Sequence, residues 1–323
     1  MRNKLMSLLL VLLLVVITFS GCASTFNFNS GKLSIVTTIF PEYDWVSQII
    51  GDSDNINVTM LIKNGVDLHS YQPSTEDIAR ISTCDMFVYV GGESDNWVDD
   101  VLKEAVNKNM IAINLLDVLG ESAKEEEEVE GMQEERESHS ENDEKEFDEH
   151  IWLSLKNAKL FTETITQKIC DMDSKNKDIY VKNAEKYLEK LSNLDEQYQN
   201  TIQNSKRNTL LFVDRFPFRY LVDDYNLSYY AAFKGCSAET EASFDTITFL
   251  SNKINELNLN YVLKLENSDD RIAKIIIDTS KKKNVQIITI DSLQSVKTDD
   301  INNGTTYLSV MESNLEVLKK ALS

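Results

Sequence analysis

The amino-acid sequence describes an α/β protein: two β/α lobes, each with a roughly four-stranded parallel sheet, joined by a long rigid helix. Three observations predict this. Apolar, β-branched runs alternate with segments of helical spacing, the pattern of a parallel sheet with crossover helices. The same plan occurs twice, once in each half of the 323 residues. Between the halves, residues 155–204 contain neither Gly nor Pro and are rich in Lys, Glu, Leu, Ala and Asn.

In the first half the strand-like runs are 33–40, 56–62, 85–90 and 110–115. Helical spacing fills 44–50, 75–81 and 97–105, with acids near the starts that suit the positive end of the helix dipole. The second half repeats the plan with strands at 209–213, 228–233, 261–265 and 285–290, separated by helices at 218–224, 244–257 and 270–281. No close sequence repeat accompanies this resemblance of pattern. The middle segment predicts one helix over 156–172 and a longer one from Asp173 or Ser174 to Gln203. Thirty helical residues reach about 45 Å, enough to traverse a lobe.

The chain begins with the basic stretch Met1-Arg2-Asn3-Lys4 and an apolar run from Leu5 to Thr18 that is short for a membrane span. It is a secretory signal. The run ends in Phe19-Ser20-Gly21-Cys22, which resembles a bacterial lipobox and makes Cys22 the lipid-modified first residue of the mature protein. The expected organisation is a signal peptide at 1–21, a lipid-anchored linker at 22–32, an N-terminal lobe at 33–155, a helical segment at 156–206 and a C-terminal lobe at 207–323. The globular part is therefore expected outside the cytoplasm, tethered to the cell membrane.

After Cys22, only Cys84, Cys170 and Cys236 remain. Their odd number, unrelated positions and lack of C-x-x-C spacing read as isolated thiols, and a cysteine-rich zinc site is not expected. The formal net charge of −20 is concentrated at 121–149, where fifteen acids face three bases. That stretch has no hydrophobic periodicity and reads as a mobile, solvated loop, with a weak cation collector as the sharper reading. Nucleic acid is excluded as a partner, because an anionic chain with no basic stripe repels phosphate.

The chain has three histidines, and imidazole is the commonest side-chain ligand for Zn²⁺. His69 follows the strand at 56–62 through a turn-rich approach. His150 follows the strand at 110–115 and the acidic loop. Both fall at the carboxyl ends of parallel strands, where open α/β sheets bind ligands. In the other half Asp214, Glu266 and Asp291 end strands in the same way. If the lobes face each other, two imidazoles meet carboxylates across a cleft, a donor set for Zn²⁺ or, with more oxygen, Mn²⁺.

At these residues the chain resembles the metal-binding lipoproteins of bacterial zinc and manganese ABC importers, a family that also includes proteins described as adhesins. The marks are T-T-I-F-P at 37–41, G-V-D-L-H-S-Y-Q-P-S at 65–74, V-G-G-E at 90–93, the acidic loop, and D-E-H-I-W-L-S at 148–154. The resemblance implies two lobes joined by a rigid helix, with the metal between them. Its ligands fall on His69, His150 and Asp291. The third position, His or Glu in the family, falls on Arg215, whose guanidinium has no lone pair to give. Asp214 could take that role, or Glu266, His139 or water could complete the shell. Arg215 could instead pair with Glu239 or Glu241.

The expected function is an extracytoplasmic lipoprotein that captures Zn²⁺, with Mn²⁺ as the alternative, and delivers it as a monomer to an ABC permease and its ATPase. No H-E-x-x-H, G-x-S-x-G or P-loop pattern supports catalysis. The alternative is a surface adhesin or interaction lipoprotein with a degenerate metal cleft, favoured by the missing third histidine.

Overall fold

The buried residues of the two halves form one continuous apolar core around the long helix, with a smaller satellite core under the second sheet. The computed structural model describes residues 31–133, 146–237 and 241–323. Residues 1–30, on which the expected signal segment and Cys22 fall, and His139 and Glu239 lie outside the described residues.

The first lobe contains β1 (Leu33–Thr37), α1 (Phe40–Ile50), β2 (Ile56–Met60), α2 (Thr75–Thr83), β3 (Met86–Tyr89), α3 (Val98–Lys103), β4 (Ile111–Asn114) and α4 (Leu115–Leu119). Its four strands are parallel and lie in the order β2-β1-β3-β4. Two helices follow, α5 (Leu155–Met172) and α6 (Lys177–Gln203). The second lobe contains β5 (Thr209–Phe216), α7 (Arg219–Asp224), β6 (Ser228–Lys234), α8 (Phe244–Glu256), β7 (Tyr261–Leu265), α9 (Arg271–Thr279) and β8 (Gln286–Ile290), closed by α10 (Thr298–Asn302) and α11 (Tyr307–Ala321). Its sheet has the equivalent parallel order β6-β5-β7-β8. In both sheets the connection leaves the first strand on one side and returns on the other, so a crevice opens at the carboxyl ends.

The 27-residue α6 extends about 40 Å. Its buried side chains, Tyr180, Ala184, Tyr187, Leu191, Leu194, Tyr198 and Ile202, recur every three or four residues and form one apolar stripe. That stripe packs on α1, α5 and α11. Polar groups on the same helix fasten it: the Tyr198 hydroxyl donates to the Met311 carbonyl at 2.5 Å, and the Tyr187 hydroxyl to Asp44 Oδ2 at 3.3 Å. The connector is thus fixed against helices of both halves.

Several element boundaries differ from those expected. The apolar run 33–40 leaves the sheet at Thr37, because Glu42 Oε2 accepts from the backbone N–H groups of Thr38 and Ile39 at 2.8 and 3.2 Å. This carboxylate and Pro41 start α1 early. The long helix begins at Lys177 rather than at 173 or 174, since Asp173 Oδ2 accepts from Asn176 Nδ2 and the Tyr180 hydroxyl and holds a turn.

The acidic loop is corrected where it is described. Its two flanks pair with each other, Glu126 N donating to the Glu146 carbonyl and Asp148 N to that of Lys124. They also lie against the second lobe, through Lys124–Asp223, Arg219–Glu127 and Lys234–Glu128 ion pairs and the Gln133 N to Ala232 carbonyl bond. Two cations of the second lobe, Arg219 and Lys234, thus pair with Glu127 and Glu128 of a stretch that reads from sequence as a solvated spacer.

Candidate metal centre

His69 lies in a single helical turn after β2, where Asp67 Oδ1 accepts its backbone N–H at 3.0 Å. His150 follows the acidic segment and is fully buried. Trp152, two residues on, donates from Nε1 to the Ser292 carbonyl at 2.9 Å, and the Tyr307 hydroxyl donates to the Trp152 carbonyl at 2.7 Å. These bonds tie the His150 turn to the loop after β8 and to α11 in the other lobe.

The two imidazoles meet edge to edge, with Nε2 atoms 3.2 Å apart. Each Nδ1 is already engaged. Asp148 Oδ1 lies 3.0 Å from His150 Nδ1 and also accepts the His150 backbone N–H at 2.8 Å. Ser94 Oγ lies 2.8 Å from His69 Nδ1, while its own hydroxyl donates to Glu149 Oε2 at 2.5 Å. A serine hydroxyl that donates its only proton to a carboxylate must accept from the imidazole, so His69 carries its proton on Nδ1. The carboxylate on His150 Nδ1 fixes the same tautomer. Both Nε2 atoms face one gap, the arrangement in which carboxylate-backed histidines bind a cation.

Burial foremost, then the positive influence of His150 and Arg215 opposed by Asp67, pushes the His69 imidazole down to about 3. It is neutral, and so able to donate, across the physiological range. Burial pushes the Glu149 carboxyl above its usual range against the opposing bonds from Ser94. Two nitrogens bound at ~2.0–2.1 Å to a tetrahedral Zn²⁺ would lie ~3.3 Å apart, close to the observed separation.

Of the carboxylates expected here, Asp214 has its oxygens on the backbone N–H groups of Arg215 and Leu265. Glu266 holds the β8 loop, accepting from Ser292 N and Oγ and from Ser295 Oγ. Asp291 Oδ1 accepts from Leu293 N at 2.7 Å, and burial and Glu266 push its carboxyl up to about 6. Glu266 and Asp291 directly follow β7 and β8 as expected, whereas Asp214 lies within β5, which runs on to Phe216. The described metal-ligating atoms that lie within 4.8 Å of one another are instead those of His69, His150 and Cys236.

Arg215 pairs with Asp67 Oδ2 at 2.9 Å across the cleft, and of the acids expected as its partner Glu239 lies outside the described residues. Burial pushes the Asp67 carboxyl up, but the Arg215 guanidinium and the bond from the His69 backbone N–H hold it below its usual value. Sequence reasoning also passed over Gln294, whose amide nitrogen stands 3.3 Å from His69 Nε2, and Cys236, taken as an isolated thiol. The described thiols of Cys84, Cys170 and Cys236 are free, and Gly235 before Cys236 is a signal that could have marked the place. A cleft of about 240 Å³ leads to His69 and Cys236 past Glu93, Ser94, Glu126 and Glu149.

Fold and site together define a two-lobed binding protein with metal-ligating groups gathered in its cleft. Residues 35–321 match the family described as zinc-uptake complex component A, periplasmic, and the chain belongs to that family. The chain is 32% identical over 291 residues to the zinc-binding lipoprotein AdcA of Streptococcus pneumoniae, covering 90% of this chain and 56% of AdcA. It is 28% identical over 294 residues to the high-affinity zinc uptake system protein ZnuA of Bacillus subtilis, covering 90% of this chain and 88% of that protein. The chain thus spans about half the length of the AdcA relatives that it matches. Among solved structures, the Zn(II)-bound ZnuA-like domain of S. pneumoniae AdcA superposes with a TM-score of 0.70 at 30% identity, covering 90% of this chain and 99% of that one. The metal-dependent lipoprotein YcdH of B. subtilis gives 0.72 at 26% identity with the same coverage.

Proposed function

We propose that this protein captures Zn²⁺ outside the cytoplasm and passes it to the permease of an ABC importer driven by a cytoplasmic ATPase, with lipid on Cys22 holding it at the membrane. The carrying observation is the pair of imidazole Nε2 atoms 3.2 Å apart, facing the same gap with polar partners on their other nitrogens. His69 and His150 are the ligands that follow from it. Family membership and the zinc-bound AdcA relative support zinc as the cargo. Asp148 and Glu149 behind the rings supply negative charge against the incoming ion without displacing it from nitrogen.

The site serves capture rather than catalysis. Its donors are clamped by bonds between the lobes, and release requires that the His150 turn or the Arg215–Asp67 pair be disturbed, as docking on a permease would do. The test is equilibrium dialysis of the full chain in detergent against Zn²⁺, followed by elemental analysis. Wild type should retain a stoichiometric ion and the His69→Ala/His150→Ala variant should lose it. Equal retention by both would refute the proposal.

A further inference from the structure

Strand β6 delivers its first two following residues straight to the imidazole pair. Gly235 is packed so closely that an added Cβ would lie 2.8 Å from His150 Cε1 and 3.0 Å from the Phe216 carbonyl oxygen. Only a residue without a side chain lets the backbone pass the ring at this distance. The next residue, Cys236, then places its sulfur in the triangle with the two histidines, all three ligand atoms within 4.8 Å of one another. Its backbone N–H is held by Glu126 Oε1 at 3.3 Å, so the acidic segment fixes the thiol's position. The ligand position that the resemblance assigns to His or Glu is occupied by Arg215, which is engaged with Asp67.

We infer that Cys236 is the third protein ligand of the cargo ion, making a His₂Cys site whose sulfur favours Zn²⁺ over Mn²⁺. The inference rests on the zinc-capture reading and adds the residue that sets its selectivity. Burial first, and then Glu126 and Glu149, push the Cys236 thiol far above its ordinary value. On binding, the S–H bond breaks, its proton passes to water, and the sulfur's electron pair forms the bond to zinc, with no change of oxidation state. Thiolate is a soft donor that suits zinc, whereas Mn²⁺ prefers oxygen.

The test is X-ray absorption spectroscopy of the reduced, full-length chain loaded with Zn²⁺. It should show a sulfur scatterer at about 2.3 Å beside nitrogen at about 2.0–2.1 Å. Cobalt substitution should add a sulfur-to-metal charge-transfer band in the near ultraviolet, and Cys236→Ser should abolish both signals. That variant should bind Zn²⁺ more than ~100-fold more weakly, beyond the usual cost of losing a group behind a ligand. A zinc ion held by nitrogen and oxygen alone in wild type would overturn the inference and leave zinc capture standing. Sulfur persisting in Cys236→Ser would overturn it by implicating another thiol. No zinc in wild type would overturn both. The wild-type spectrum decides even if the variant fails to fold.

Discussion

Asp44 lies where α1, α6 and α11 meet, 5% exposed, and accepts from the Tyr187 hydroxyl, the Tyr307 backbone N–H and Gln48 Nε2. Burial pushes its carboxyl from 3.8 up to about 6, against those bonds. The folded chain therefore holds a proton that the unfolded chain has released between about pH 4 and 6, and stability falls as pH rises through that window. The gap from 3.8 to about 6 corresponds to roughly 3 kcal/mol. Asp44→Asn removes the charge while its carbonyl can still accept from Tyr187 and Tyr307, and its amide can donate to a reoriented Gln48. Urea unfolding of metal-free protein should find the variant more stable than wild type by roughly 3 kcal/mol at pH 8 and by under about 1 kcal/mol at pH 4. A difference that does not change with pH, or a variant less stable at pH 8, would show that the tyrosine and backbone bonds outweigh the cost of burial.

Removing the carboxylate behind His150 with Asp148→Ala frees Nδ1 and its tautomer, and calorimetric titration should show zinc affinity lowered by ~10–100-fold in a folded protein. Unchanged affinity would mean that His150 is oriented by Trp152 and the β8 loop alone. Gly235→Ala places a methyl 2.8 Å from His150 Cε1 and should displace that ring, weakening zinc binding and shifting the His150 ring resonances in NMR spectra. Resonances and affinity like those of wild type would show that the β6 loop yields instead of the ring.

The paired lobes were legible because their strands are buried, β-branched runs with helical spacing between them. Limits were harder to read where an apolar run crosses an element boundary. The run ending in Thr37, Thr38, Ile39 and Phe40 looks like a single strand, yet the Glu42 carboxylate caps its last N–H groups and Pro41 sits in the first helical turn. His69 and His150, which the fold brings together, could be singled out because strand-end position is a property of local pattern. Cys236 was not, since its nearness to them depends on the packing of two lobes and on a backbone passing within reach of His150 Cε1. Arg215 offered no local sign that its partner would be Asp67, 148 residues earlier. The acidic segment misled for the opposite reason: composition reported its own charge but not Asp148 and Glu149 behind the rings, nor Lys234 and Arg219 that pair with Glu128 and Glu127.

The central claim is that one ion sits between imidazoles brought together from two loops of the first lobe, closed in by the second. Anomalous diffraction from crystals of the zinc-loaded protein, measured on either side of the zinc edge, tests this most directly. A single strong peak ~2.0–2.1 Å from both the His69 and His150 Nε2 atoms is the expected result. A peak confined to the carboxylates of the acidic segment, with the two rings still facing each other across an empty gap, would contradict it.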